Sequence, residues 1–417
     1  ADAAGLKLWE SLSVDEVSAA GLQDVDVVVD ADATVQTESN SSSSASADNV
    51  TGDSGASSTT TFNSGLQTDS TFDVSADAGI QGVAGTTAAS SASTSAGVAN
   101  AFTTLADSAG IQDVTSLKVG GEMSALGQSM NSLSADAESV VGDAIGQSQL
   151  STKVEGLEAS KIDVSSDAGI QGLAQLSNSA AAETSSGTAT SIADVANLQG
   201  GDLNGLEVGG VANVTGQTSL SNASSSETVV GTAGVGAAAT SSLVDADGLF
   251  TSNNAVTSGE SGVEVSSDGT LTGLASISNS ASAASTASSA DADALAGGTI
   301  DGAQLNSVDI GGVGSITGQT SFAGSADATN VGAQDTSSLA DATLLDADGL
   351  EADNGINVSS DAGLTGLNTA SLSSSAQSTG AGTGTTATAD SDAGTLQGAQ
   401  LTGTTDIGGV GSIGGQV

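Results

Sequence analysis

Three regularities of the sequence lead to an all-β chain, elongated and built as a β-solenoid of stacked coils. The first is a long repeat. Residues 162–176 (IDVSSDAGIQGLAQL) recur in variant form at 72–83, 263–277 and 356–367, placing Val74, Val164, Val265 and Val358 at intervals of 90, 101 and 93 residues. The second is an apolar-charged-apolar triplet before Gly-Gly, found as LKVGG (117–121), LEVGG (206–210), VDIGG (308–312) and, with Thr first, TDIGG (405–409). The two motifs are variants of one, so the unit is near 45 residues, marked by Val74, Val119, Val164, Val208, Val265, Ile310, Val358 and Ile407. The third is a valine before a Gly-rich turn at Val50, Val141, Val230 and Val331, which lie 21 or 22 residues after Val29, Val119, Val208 and Ile310. A period of that length is expected of one coil in a stack where each repeat buries its face against its neighbours. The expectation is therefore coils of about 22 residues, in tandem repeats of about 45 and 90–100.

The composition suits such a stack. The 417 residues include 57 Gly but no Pro, Cys, His or Tyr, and one Trp. Ala and Ser bury little apolar area, at about 25 cal/mol per Å², so they cannot fill a wide core, yet they fill a thin one. Without Pro every backbone N–H stays available to strand ladders. Alternation is clean after residue 275: Ile277, Asn279, Ala281 and Ala283 are expected on one face, and Ser276, Ser278, Ser280 and Ser282 on the other.

Taken in order, residues 1–26 form an arm that carries Leu6, Leu8, Trp9 and Leu12, with a capping-box pattern at Ser13–Glu16 that predicts a short helix from about Val14 to Ala20. It is read either as a cap over the first coil or as a docking arm for a second subunit. Residues 27–417 are expected to run as one continuous solenoid body, with a loop inserted at 245–262. The Ser-rich tracts at 40–46 and 90–95 would suggest disorder by composition, but their place in the repeat register argues for strands. Residues 407–417 read as an unfinished coil, whose open edge would invite pairing with another chain. Ile407, Val410, Ile413 and Val417, with Leu6, Leu8, Trp9 and Leu12, are the expected polymer joint. The opening Ala-Asp-Ala would suit a product of signal-peptide cleavage, and hence export.

The residue inventory points away from an enzyme. No His or Cys is available for a nucleophile-base pair or an ordinary zinc site, and 49 acidic residues produce carboxylate pairs by chance. Glycines recurring with the coil are read as corners, since none precedes Lys-Ser/Thr and a helix as a phosphate loop requires. The formal charge of -45 excludes attraction to nucleic acid or an anionic membrane, and no apolar run is long enough to span a bilayer. Divalent cations are the partners that the charge favours. Asp-x-Asp pairs at Asp245/Asp247 and Asp346/Asp348, with others at Asp30/Asp32, Asp291/Asp293 and Asp390/Asp392, are expected in or near turns. They read either as solvated acidic corners or as Ca²⁺ ligands, Asp245, Asp247, Asp346 and Asp348 foremost.

The phrases LEVGGVANVTGQTSL and VDIGGVGSITGQTSF resemble the repeats of β-solenoid stalks in bacterial surface adhesins and phage tail fibres. The resemblance implies a stalk or fibre and carries no functional residue. The function expected is an extracellular structural protein that polymerises head to tail into a cell-surface filament; the alternative is an adhesin or phage-fibre stalk binding a receptor through inserted loops.

Overall fold

The computed structural model describes residues 27–29, 33–67, 71–114, 116–229, 236–251, 262–286, 288–332, 336–380 and 384–417. The arm at 1–26, with its expected helix and Leu6, Leu8, Trp9 and Leu12, lies outside them. The described chain is all-β and its strands pair in parallel, a β-solenoid-like arrangement of two sheets. One sheet has nine strands stacked in chain order, from Ala33–Asn49 to Gly411–Gln416; the other has sixteen.

The pairing register corrects the coil length. Ala168–Thr184 pairs residue for residue with Met123–Ser139 on one side and Ala212–Thr228 on the other, so ladder neighbours are 44 or 45 residues apart, not 22. One circuit consists of a 17-residue strand in the nine-stranded sheet, a far corner, a long strand such as Ala189–Leu203 in the second sheet, and a near corner with a short strand such as Leu206–Val208. The 22-residue spacing measured half a circuit, from near corner to far corner. Alternation that stays unbroken across 17 residues makes each face a single long strand, because a corner would have interrupted it.

The repeat marks form one buried column. Val74, Val119, Val164, Val208, Val265, Ile310 and Val358 stack in register inside the near corner, while the charged residue of each triplet faces out. The corners also explain why the longer interval is near 90 residues. In alternate coils an Asp turns its carboxylate onto the next coil: Asp77 Oδ1 accepts the Glu122 N–H at 2.9 Å, and Asp167, Asp268 and Asp361 accept from Val211, Val313 and Val410 at 2.8 Å. A Cβ on Gly121 or Gly210 would sit 2.2 Å from that carboxylate oxygen, so an SSD coil requires a Gly-Gly coil above it.

Between the corners the two sheets touch. A Cβ built on Gly172 would lie 2.0 Å from the Gly200 carbonyl oxygen, and one on Gly216 would lie 2.1 Å from that of Gly248. These mid-strand glycines make a waist along the molecule. The expectation that the recurring glycines are corners holds for the Gly-Gly pairs and fails here. On the near side of the waist packs a lobe of Val, Ile and Leu, including Leu66, Ile111 and Leu203; on the far side Leu and Ile next to the waist give way to Ala, Ser and Thr toward the far corner. Asn178, Asn222 and Asn279 stack in that far lobe, each amide donating to the next at 3.1 and 3.2 Å. As expected, Ile277, Asn279, Ala281 and Ala283 are buried, and the Ser-rich tracts lie within strands.

Candidate functional site

At the waist the creased sheet breaks its alternation. In Gly236–Phe250 the four residues 246–249 are all buried: Ala246 faces the far lobe, Leu249 faces the near lobe, and Asp247 points away from both. Alternation breaks at the glycine, and Asp247 is buried on the outer face between the side chains two before and three after it. Repetition carries this crease along the molecule. Its floor runs Glu155, Gln199, Asp247, Asp301, Asp348 and Gln397 in continuous ladder register. One wall carries Lys153, Asn197, Asp245, Thr299 and Asp346, and the other carries Glu158, Asp202, Phe250, Gln304, Glu351 and Gln400. Glu155, Asp247, Asp301 and Asp348 are buried at 0, 3, 2 and 6% exposure, whereas the wall residues are half-buried apart from Thr299, which is exposed.

Such a floor is electrostatically unusual, since buried carboxylates are normally paired. At one end a lysine supplies the counter-charge. Lys153 Nζ contacts Glu155 Oε1 and lies 3.5 Å from Glu158 Oε2. Burial and Glu158 push the Glu155 carboxyl up to about 9 against the pull of Lys153, and burial with Glu158 raises Asp202 to about 6. Farther along, burial raises Asp247 to about 8, Asp301 to about 9 and Asp348 to about 6, with neighbouring acids adding to each shift. Asp247 accepts a 3.3 Å bond from Gln199 through Oδ2; Asp247 Oδ1, Asp346 Oδ1 and Asp348 Oδ1 have no hydrogen-bond partner. The carboxylates of Asp301, Asp348 and Glu351 bring one oxygen each within 4.8 Å of one another, as do those of Glu155, Glu158 and Asp202.

No family model, curated protein or solved structure matches the chain. The crease and the sheet edges therefore have to be read from their own geometry.

Sequence reasoning found part of the crease and misplaced it. Asp245, Asp247, Asp346 and Asp348 sit in the middle of long strands, not in turns, and residues 245–250 are strand, so the expected loop at 245–262 begins too early. Within each Asp-x-Asp pair the two residues have unlike surroundings, one on the floor and one on the wall. Asp291 and Asp293 are half-buried, Asp390 and Asp392 are exposed on Thr386–Leu401, and Asp30 and Asp32 lie outside the described residues. Glu155, Asp301, Glu351 and Lys153 were missed. A signal was present: an acid or amide directly before a glycine recurs in six successive coils at Glu155-Gly156, Gln199-Gly200, Asp247-Gly248, Asp301-Gly302, Asp348-Gly349 and Gln397-Gly398.

The second candidate surface is the open sheet edge. Gly411–Gln416 pairs only with residues 362–367 of Ala362–Thr379, and residues 368–379 bear no strand on that side among the described residues. Ile407 is half-buried against the near lobe, while Val410, Ile413 and Val417 are exposed. No helix among the described residues is long and apolar enough to cross a membrane.

Proposed function

We propose that the chain is a structural subunit, a β-solenoid rod that polymerises head to tail into a filament on the outside of a cell. The observation that carries this reading is the parallel ladder itself, which repeats one bond pattern from coil to coil through the described residues. Among the described residues the outermost strands of the nine-stranded sheet are Ala33–Asn49 and Gly411–Gln416, and each is paired on one side only. Stacking one end on the other repeats the bond pattern already present between every pair of coils. A head-to-tail contact of this kind propagates instead of closing. Exposed Val410 and Ile413 would be covered in the joint, and the arm with Leu6, Leu8, Trp9 and Leu12 is assigned to the same contact. The charge of -45 keeps neighbouring filaments apart at low salt and disfavours a nucleic-acid partner.

Negative-stain electron microscopy of the purified protein tests this. Nine strands in one sheet, at 4.7–4.9 Å each, set an axial repeat of about 40 Å, half of what 22-residue coils would imply. Long fibres with that repeat, lost on removing residues 1–12, are expected. Separate short rods would instead favour an adhesin or fibre stalk.

A further inference from the structure

We propose that the crease holds Ca²⁺ at Asp301, Asp348 and Glu351. The inference stands whether or not the chain polymerises. Its first support is geometric: three carboxylates supply oxygens within 4.8 Å of one another. Ca²⁺ accepts six to eight oxygens in flexible geometry, whereas Mg²⁺ demands near-ideal octahedral geometry and keeps its waters, so a crowded all-carboxylate site suits the larger ion. The second support is Asp348, which is 6% exposed, belongs to this triad and leaves Oδ1 without a partner. Glu351 is held in place by amide donors, Gln304 Nε2 at 2.8 Å and Gln400 Nε2 at 3.2 Å. Each Glu351 oxygen keeps a lone pair for a metal while these bonds persist.

The third support is the other triad of the crease. Glu155 and Glu158 hold the floor and wall positions of Asp348 and Glu351, with Asp202 on the wall as the third carboxylate, and there the chain itself inserts a cation, Lys153 Nζ, against Glu155 and Glu158. Along that wall the place of Lys153 passes to Asn197, Asp245, Thr299 and Asp346. The chain has no Arg to substitute, and Lys118 and Lys161 belong to the near corner. Among the described residues the acidic triad thus has the architecture of a cation site without a protein cation, and an ion from solution completes it.

The test is calorimetric titration of the full chain with CaCl₂ at pH 7.5 after chelator treatment, alongside thermal unfolding. Saturable binding and a raised melting temperature are expected, with a smaller shift from MgCl₂ at equal concentration. The D301N/D348N double variant should lose at least tenfold in affinity, as should E351Q, whose half-buried position makes it the safer substitution should the double variant misfold. Replacing exposed Glu207 and Glu264 by Gln should leave binding unchanged. Unaltered affinity in both crease variants, or a wild-type chain stabilised by acid but never by Ca²⁺, would overturn the proposal.

Discussion

The two ends of the crease share a backbone and differ in the charge carried at one wall position. At Glu155 the wall offers Lys153; at Asp301 and Asp348 the same wall offers Thr299 and Asp346. Both ends keep the glycine at which alternation breaks, Gly156 in one case and Gly302 and Gly349 in the other, and at each a Cβ would strike backbone at 2.1–2.5 Å. The comparison separates shape from charge. Glycine dictates where carboxylates are forced together, and the wall residue decides whether the chain or the solvent balances them.

The largest effect is expected from breaking the balanced end. Above about pH 9, where Glu155 is ionised, Lys153→Ala leaves it buried without its cation, and loss of one partner from a buried pair costs about 3 kcal/mol. Denaturant unfolding should show that loss, and Lys153→Ala combined with Glu155→Gln should recover much of it; a single variant as stable as wild type would mean that Lys153 balances nothing.

A smaller effect sharpens the unbalanced end through pH. The folded-state values of Asp348, Asp247 and Asp301, about 6, 8 and 9, all lie above the ordinary carboxylate value near 4. The fold therefore binds more protons than the unfolded chain between about pH 4 and 9. Stability is fully present below that window and is lost as pH rises through it. In chelator the melting temperature should fall from pH 5 to pH 9, and added Ca²⁺ should flatten the slope. A flat profile in chelator would contradict the burial of these groups.

The smallest effect should come from the near corner, away from the crease. Asp167→Ala removes the acceptor of the Val211 N–H, a loss of about 1.5 kcal/mol for a bond to a charged group. It should leave the pH slope unchanged, and a changed slope would show that corner and crease are coupled.

The sequence alone determined the parallel repeat and its near-45-residue unit, because Val74, Val119, Val164 and their successors occupy one column and a column must recur once per circuit. It also marked which residues of 276–283 turn inward, since strand alternation is local. It did not reveal that the 22-residue mark was a half circuit, because a corner and a full turn carry the same Val-Gly signal. Nor could it place Asp247 and Asp348 on a buried floor. An Asp-x-Asp-Gly phrase reads as a turn until a second sheet presses against that glycine, and only Gly216 facing Gly248, and Gly318 facing Gly349, does so. The crease and its buried acids arise from contacts across the waist and between neighbouring coils, which tertiary structure alone decides.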